Sequence, residues 1–541
     1  MFQLKSVLLG AALVRGVMSA TALTGAPLDL FQESMSFLDD IYDPAAGYMY
    51  DFSSGGALTH TTRSSPWYAA GLLQRNRGDD REQAIKILKN VIGDQYKDPS
   101  SQWYGDYTKF PETPTVGTSQ NPQVIYGSWD PNWRSFVGVT LIVIYEEFGD
   151  LLPQDMKALI LESMYNSTVG DSYRVGGVDN DNLYPCYSNP WLMRTLATAW
   201  TGRMWNNTNM TESAETDAKL ALELFNLNNT LSEFNSPTYA STSLTAVALW
   251  SKYLPEDSLL AQNGARMVKE IWNTVGEMYH PGLKNIAGPF DRAYGFDMNK
   301  YVSLIGLNIW ALIGKKDAPM YKLPWVMSHN NDYNTAPLIA IVAPYMNSLV
   351  SNETIAKLKS FAGEHTYRTS AYSPPVDLTP RNITAWLGPA MSIGAQSFDQ
   401  TQVGGFANST SQWNPAAIQW KFADSSLGYM HLVGTEKALH ADVQPGFLNL
   451  TYPKGTSKSK FQFRLSQNPL GGKRDIWSLA DIENIDMTVS GTVNTTASFG
   501  YCGQYGGVCD DVNNFAVFLV TYLMPEGSTE TPNIQIKLSY K

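Results

Sequence analysis

The chain has 541 residues, a formal net charge of -11 and a charged fraction of only 16%. Nucleic-acid binding needs clustered lysine and arginine to neutralise phosphates, so an acidic chain without such a cluster is excluded from that class. The length exceeds one ordinary core and predicts one large domain plus a smaller one. Few charges with 12% aromatic residues are typical of a secreted protein that binds polar or ring-shaped ligands, and equally of a large aromatic core.

Residues 1–22 have the features of a secretory signal peptide. Lys5 supplies the positive end, residues 7–14 supply the apolar run, and Ala20 and Ala22 supply small residues for cleavage. This run is too short to span a bilayer, and the sequence has no other apolar run of about 18 residues. We therefore expect a secreted, extracellular protein without a membrane span.

The cysteines and glycosylation sequons agree with secretion. Cys502 and Cys509 lie seven positions apart around Gly506-Gly507, and in an oxidising compartment we expect them to form a disulfide. Cys186 then remains unpaired, either as a buried thiol or as a catalytic one. The asparagines in Asn-Xaa-Ser/Thr sequons are candidate glycosylation sites: Asn166, Asn206, Asn209, Asn228, Asn352, Asn382, Asn408, Asn449 and Asn494.

From about residue 28 to residue 363, apolar residues recur every three to four positions, which predicts helices. Start signals such as Ser65-Pro66 and Asn189-Pro190 precede several of these runs. Twelve consecutive helices make six hairpins, which can close into an inner and an outer ring around a central cleft. We therefore predict an (α/α)6 toroid over residues 23–369. The predicted helices are 30–42, 66–75, 80–92, 133–148, 153–164, 189–205, 213–227, 239–253, 257–278, 298–313, 336–347 and 352–362.

Nearer the C-terminus the apolar period changes from three or four to two, which predicts strands at residues 461–465, 487–493, 515–522 and 534–540. Turn residues separate these runs, as in an antiparallel β-sandwich, which we predict over residues 416–541. The intervening residues 370–415 are rich in Pro, Ser and Gly and are predicted to be a linker. The fold class is thus mainly α, a toroid followed by a smaller β-sandwich.

One connection between helical segments, residues 288–298, contains Asp291, Arg292, Tyr294 and Asp297. Helix-to-helix connections are normally short, and a long one rich in acids, arginine and aromatics is typical of a functional site. Elimination beside a uronate carboxylate needs a base and a group that neutralises the carboxylate. Tyr239 or Tyr294 is suited to act as base or acid, and Arg292 and Asn235 are suited to neutralise.

Hydrolysis of a glycosidic bond needs two carboxyl groups instead. Asp130, Glu233, Asp291 and Asp297 lie at junctions between loops and helices and are the candidates. Asp130 and Asp297 are equally suited to capping the helices that follow them.

Aromatic and amide side chains near these loops are suited to bind sugar rings and hydroxyls, although core packing is an equal alternative for the aromatics. The candidate substrate-binding residues are Asn235, Asn189, Trp129, Asp130, Tyr184 and Trp133.

The histidines show no spacing typical of a metal site, and we predict neither a metal nor a cofactor. His60 or His280 is the candidate partner base for elimination. The sequence contains no glycine-rich nucleotide loop, and it has no Gly-Xaa-Ser-Xaa-Gly segment for a serine hydrolase.

Six helical hairpins followed by an antiparallel β domain resemble the six-hairpin toroid proteins, which include many glycoside hydrolases and the heparinase- and alginate-lyase-like polysaccharide lyases. The segment Glu233-Phe-Asn-Ser-Pro-Thr-Tyr239 resembles the Ser-Pro-Xaa-Tyr segments that line toroid lyase clefts. This resemblance implies a carbohydrate-active enzyme that cleaves a polysaccharide by elimination or hydrolysis, with elimination favoured. The Asn-His-Tyr-Arg constellation of those lyases has no residue-by-residue match in this chain.

The segment from Asp179 to Asn189 resembles the Asp-Asn…Cys segment of linalool dehydratase/isomerase-like toroids. That resemblance implies a cofactor-free dehydratase, isomerase or cyclase acting on a small hydrophobic metabolite, with Asp181 and Cys186 as catalytic residues. A non-catalytic glycan-binding protein is a third hypothesis. The chain as a whole also resembles secreted fungal proteins.

Overall fold

A computed structural model describes residues 22–52, 59–174, 181–320, 324–405, 412–422, 426–467, 475–502 and 517–541. The predicted signal peptide up to residue 21 and the sequon at Asn408 lie outside the described residues. So does Cys509, and with it the predicted disulfide to Cys502.

Within the described residues, twelve α-helices lie where the three-to-four-residue spacing predicts them, with ends that differ by a few residues. Their amphipathic or fully apolar surfaces account for the agreement, since both kinds of surface must pack against other elements. The helices are α1 (Gly25–Asp39), α2 (Ser65–Arg75), α3 (Asp80–Gly93), α4 (Trp133–Phe148), α5 (Gln154–Asp171), α6 (Ser188–Met204), α7 (Thr208–Phe225), α8 (Ala240–Tyr253), α9 (Leu259–Met278), α10 (Leu304–Ile313), α11 (Ala336–Ser348) and α12 (Asn352–Lys359).

Six of these helices close into an inner ring. Helices α2, α4, α6, α8 and α10 contact one another in that order, and α11 contacts both α10 and α2. Helices α3, α5, α7 and α9 each pack on the inner helix that precedes them. Inner helices are enclosed on nearly all sides; in α6, every residue from Ser188 to Gly202 is buried. The ring therefore brings the N-terminal turns of its inner helices around one space.

Apart from short 3-10 helices, the remaining elements are strands, and the strands pair antiparallel. The short strands are β1 (Tyr42–Asp43), β2 (Tyr48–Tyr50), β3 (His60–Thr61), β4 (Tyr279–His280) and β5 (Asn285–Ile286). The large sheet contains β6 (His365–Ala371), β7 (Arg381–Leu387), β8 (Met391–Asp399), β9 (Ala416–Lys421), β10 (Leu427–Leu432), β11 (Ala438–Gln444), β12 (Phe447–Thr451), β13 (Lys460–Gln467), β14 (Ile485–Gly491), β15 (Ser498–Cys502), β16 (Val517–Leu523) and β17 (Asn533–Tyr540). Its strand order is β14-β17-β12-β11-β8-β9-β10-β13-β16-β15, and β7 pairs with both β8 and β6.

Two predictions about this part of the chain need correction. Residues 370–415 are not a linker, because they contain the strands β7 and β8 together with a turn-rich connection. Ile383, Ala385 and Leu387 alternate along β7 and join the core shared with the helices, whereas the opposite face of the sheet has its own core. The predicted class, mainly α, is also too narrow, since helices make up well under half of the described residues. The accurate description of the fold is a set of helices followed by a large antiparallel sheet.

The predicted sequons fall into two groups. Most are exposed, as at Asn206, Asn352 and Asn494. Asn166 differs, because it lies inside α5, accepts a hydrogen bond from Tyr104 and donates one to Gln95. Its amide is therefore hydrogen-bonded within the folded protein. None of the helices in the described ranges has both the length and the apolar character that crossing a membrane requires.

Candidate functional site

The loop before α8 is tied to the loop before α10 by side-chain hydrogen bonds. Asn235 donates to the carbonyl oxygens of Ala287 and Pro289, both at 2.7 Å. Asn235 has a positive φ of 47°, a conformation that asparagine tolerates better than most residues. Its amide therefore shapes the loop, which corrects the prediction that Asn235 binds substrate.

A second tie places an arginine next to Tyr239, the residue that precedes α8. Ser236 donates its hydroxyl to the carbonyl oxygen of Arg292 at 2.7 Å and accepts the backbone N–H of Tyr239 at 3.1 Å. One serine thus fixes the spacing of both residues. The Ser-Pro-Xaa-Tyr segment is local and short, yet it determines where the Arg292 backbone lies.

Four side chains meet at this point, and we call Tyr187, Tyr239, Arg292 and Tyr294 the tyrosine–arginine cluster. Arg292 donates from Nη1 to the Tyr187 hydroxyl at 2.7 Å and from Nη2 to the Tyr294 hydroxyl at 2.8 Å. The hydroxyls of Tyr294 and Tyr239 are 2.9 Å apart. The guanidinium carbon lies 4.3 Å from the centre of the Tyr239 ring. Three phenols therefore surround one cation.

Burial determines the protonation of these phenols. It raises the pKa of Tyr239 well above its ordinary value. Burial also raises the pKa of Tyr187 to about 12, against the opposing effect of Arg292. Both hydroxyls are protonated at neutral pH, which makes them proton donors. Of the two roles predicted for Tyr239, the acid fits this environment better than the base.

Glu233 and Asn189 lie behind the cluster. Asn189 donates from Nδ2 to Glu233 Oε2 at 2.8 Å. Glu233 Oε1 is 3.6 Å from Arg292 Nη1 and, among the described residues, has no hydrogen-bond partner. Burial raises the pKa of Glu233, while Arg292 lowers it. Glu233 is thus placed to orient Arg292, and Asn189 to orient Glu233, rather than to contact a substrate directly.

A histidine that the sequence did not single out lies against this cluster. His329 Nδ1 is 2.7 Å from Asp332 Oδ2, and the imidazole centre is 4.5 Å from that of the Tyr294 ring. A carboxylate on Nδ1 favours the tautomer with a lone pair on Nε2, the form that accepts a proton. The His-Xaa-Xaa-Asp spacing was the one available signal, and it is too common to be noticed without the fold.

The inner ring borders a partly open cavity, which we call the helical cavity. Tyr239 and Asp332 lie on its wall, as does Arg63. The first or second turn of every inner helix contributes: Trp67, Phe136, Met193, Ser241, Leu304 and Leu338. Helix N-termini carry partial positive charge, so the inner helices add positive potential to this cavity.

A second, smaller cavity lies where the helices meet the sheet, and we call it the interdomain cavity. Three residues of the site described above also line it: Tyr187, Glu233 and Arg292. Asp291 lies there and is bonded to Arg381, and it also accepts the backbone N–H of Phe234 at 2.8 Å. Arg381 bonds in addition to Asp377 at 2.8 Å. Asp291 is thereby committed to a buried ion-pair network, which corrects its prediction as a catalytic acid.

The two histidines predicted as partner bases lie elsewhere. His60 bonds to Glu112 and stacks on Tyr50, and His280 is fully buried and bonds to the carbonyl oxygen of Gly388 at 2.8 Å. Neither contacts the tyrosine–arginine cluster, which corrects both predictions. In the ranges that the structure describes, no three His, Cys, Asp or Glu side chains are grouped to hold a metal ion.

The predicted aromatic platform before α4 is largely internal. Trp129 and Trp133 are 1% and 6% exposed. Asp130 accepts the backbone N–H of Asn132 at 3.0 Å, a turn-forming role like the capping alternative that its sequence position suggested. Stacking of a sugar on either tryptophan is therefore ruled out in this conformation, although Trp133 contacts Arg63.

The residues of the dehydratase-like hypothesis do not converge. Asp181 forms an ion pair with Arg174 at 2.6 Å, whereas the Cys186 thiol donates to the carbonyl oxygen of Pro374 at 2.9 Å. Burial raises the pKa of Cys186 and keeps it a thiol. Tyr184 is partly buried just before α6.

Asp297, a candidate carboxyl group for hydrolysis, accepts the backbone N–H of Asn299 at 2.9 Å. It therefore caps a turn instead of α10.

Comparison with known proteins adds the family. No curated protein sequence matches this chain. Among solved structures, the chain is similar to that of "Crystal Structure of Heparinase III" with 10% identity and a TM-score of 0.38, over 97% of this chain and 86% of that one. Residues 363–539 match the model of a domain of unknown function, DUF8770. Residues 28–344, more than half of the chain, match another, the domain of unknown function DUF8769, and the protein belongs to that family.

Proposed function

We propose that the protein is a secreted enzyme that cleaves a uronate-containing polysaccharide by β-elimination. The observation that carries this proposal is the tyrosine–arginine cluster, in which Arg292 is hydrogen-bonded to Tyr294 and Tyr294 to Tyr239. A guanidinium can neutralise the substrate carboxylate and so acidify the neighbouring C–H, and a protonated phenol can supply the leaving oxygen with a proton.

The steps assign one role to each group. His329 Nε2 takes the proton from C5, the electron pair forms the C4=C5 double bond, and the C4–O4 bond breaks. Tyr239 donates its proton to O4. Tyr294, which contacts both His329 and Tyr239, returns the proton from the imidazolium to the phenolate. No water enters the product, in contrast to hydrolysis.

Architecture and surface features support the same proposal. We assign the closed ring of inner helices, with helices packed outside it, to the (α/α)6 toroid class and the sheet to the β-sandwich class. An N-terminal segment typical of signal peptides and mostly exposed sequons support secretion.

The competing chemistries have less support. Hydrolysis would need two available carboxyl groups, but Asp291 is bonded to Arg381 and Glu233 lies behind Arg292. A dehydratase would need Asp181 and Cys186 together, but each bonds to a different partner.

The direct test incubates the protein with alginate, polygalacturonate, chondroitin sulfate and neutral polysaccharides. Elimination produces ultraviolet absorbance from the new double bond together with reducing ends, whereas hydrolysis produces reducing ends alone. Replacing Tyr239→Phe removes the proton donor and is expected to lower the rate about 10²- to 10⁴-fold.

The matched control is Tyr522→Phe, which removes a buried phenol hydroxyl that has no partner in the described part of the sheet. It should keep full activity. Equal rates for the Tyr239→Phe, Tyr294→Phe and unmodified proteins would contradict the assigned site, and reducing ends without absorbance would contradict elimination.

A further inference from the structure

Arg63 differs from Arg174 and Arg381, two buried arginines of the described residues. Arg174 pairs with Asp181 at 2.6 Å and Arg381 with Asp377 at 2.8 Å. Arg63 is partly buried, and within the described residues it forms no ion pair, while its buried Nε has no hydrogen-bond partner. Burial of a cation without a counter-ion is unfavourable, so the position needs an explanation.

Aromatic rings hold the Arg63 side chain in place. Its guanidinium carbon lies 5.7 Å from the ring centre of Trp67, 5.3 Å from that of Trp133 and 5.2 Å from that of Phe136. Ring faces attract a cation, which offsets part of its desolvation. They accept none of its N–H groups in a conventional hydrogen bond, so the donors remain available to a ligand.

Arg63 also borders the helical cavity, together with Tyr239. The only acid on that wall, among the described residues, is Asp332, which bonds to His329. The N-terminal turns of the inner helices add positive potential. A guanidinium without an ion-pair partner among the described residues, the N-terminal turns of the inner helices and the proposed proton donor thus share one space.

We infer that Arg63 is an anion-binding residue of this cavity and that it binds the carboxylate of an acidic sugar unit. The planar fork of a guanidinium matches the two oxygens of a carboxylate. The choice of an acidic sugar rests on the proposed function, whereas the anion site itself does not. Arg63 and Arg292 would then contact acidic groups at different positions of the bound chain.

The test measures thermal unfolding of the full chain as a function of sodium glucuronate concentration. Sodium chloride at equal ionic strength with glucose is the reference. A ligand that binds the folded state raises Tm, so we expect glucuronate and not the reference to raise it. In Arg63→Met the apparent Kd should rise roughly 10- to 100-fold, the loss expected for charge-assisted hydrogen bonds.

The unliganded variant gives a second readout. Because Arg63→Met removes an unpaired cation and keeps an apolar chain among aromatic rings, its Tm without ligand should equal or exceed that of the unmodified protein. A Tm well below it would show that Arg63 also stabilises the fold, and Arg63→Lys then decides whether it binds the anion. The matched control is Arg368→Met, which removes an exposed arginine from β6 and should keep the glucuronate response.

Each remaining outcome has one meaning. No glucuronate response in the unmodified protein, or an equal response in Arg63→Met, overturns the anion site. If Arg63→Met does not fold, Arg63→Lys decides, because it keeps the charge and loses the fork; an unchanged Kd then overturns the inference and a weakened one supports it. A normal response with no elimination of any uronate polymer refutes the proposed function alone.

Discussion

Two arginines, one lining each cavity, differ in whether they have an ion-pair partner. In the interdomain cavity, Arg381 lies between Asp291 and Asp377, and the charges compensate one another. In the helical cavity, Arg63 has aromatic neighbours and no carboxylate partner among the described residues. Paired charges stabilise an interface between parts of the protein, whereas an unpaired one is available to a ligand. The pairing state, more than the residue type, separates structure from function here.

The largest effect that would sharpen this comparison is expected at His329. Replacing His329→Gln removes the proposed base on the side of the helical cavity, and the elimination rate should fall about 10²- to 10⁴-fold. His440→Gln, an exposed histidine on β11, is the control and should keep the full rate. Stability should change little in either variant, so urea unfolding of both accompanies the kinetics. If the His329→Gln variant kept its elimination activity, His329 would not be the base, and another residue would have to take that role.

Substitution of Arg381 in the interdomain cavity should lower the free energy of unfolding. Arg381→Met leaves Asp291 and Asp377 buried without a cation, and breaking such a pair costs about 3–5 kcal/mol. Urea unfolding measures this change. Lys454→Met removes the partner of Asp399 in an exposed pair and should cost only about 0–1 kcal/mol. Equal losses of unfolding free energy in the two variants would mean that the buried Arg381 network stabilises the fold no more than an exposed ion pair does.

Much of the fold could be predicted because packing follows periodicity. α4 begins and ends at the predicted residues, and β13, β14, β16 and β17 overlap the predicted strands. The strands β7 and β8 were missed because proline, serine and glycine around them are typical of a linker. The alternating apolar residues of β7 pack on the helices, and those of β8 belong to the core on the opposite face of the sheet. Only the tertiary structure reveals these partners.

The site was predictable in part. Arg292, Tyr294 and Tyr239 were singled out from one loop and one short segment, and the structure brings them within hydrogen-bond distance. Asp291 is adjacent to Arg292 in the sequence but has a different role. A carboxylate in a loop can act as a catalytic acid or as an ion-pair partner, and the neighbouring side chains in the folded protein decide which. No sequence pattern identifies Arg63, because its proposed role depends on its lack of an ion-pair partner among the described residues of the folded protein.

A pH effect of intermediate size is expected at His431, a buried neutral group between the two parts of the chain. It packs on Phe290 and Phe296, and burial lowers its pKa to about 3. Below the ordinary pKa of 6.5 the unfolded chain binds a proton that the folded protein does not, so stability falls as the pH drops from 6.5 towards 3. The slope is at most about 1.4 kcal/mol per pH unit.

His431→Phe tests this effect because it keeps a ring and removes the titrating nitrogens, neither of which has a hydrogen-bond partner among the described residues. Urea unfolding at pH 7 and pH 5 should show about 2 kcal/mol less acid destabilisation in the variant. An identical pH dependence would show that His431 does not contribute.

The smallest effect separates the leading proposal from the dehydratase-like alternative. Cys186 borders the interdomain cavity, and its thiol donates to the carbonyl oxygen of Pro374 at 2.9 Å. Replacing Cys186→Ala removes one weak hydrogen bond and a small buried group, so we expect a loss of about 1 kcal/mol in urea unfolding. Elimination activity should be unchanged, because the thiol takes no part in the proposed steps. A stable Cys186→Ala protein that has lost all activity would contradict the assigned site, since the reaction would then depend on the thiol beside Asp291 and Arg381.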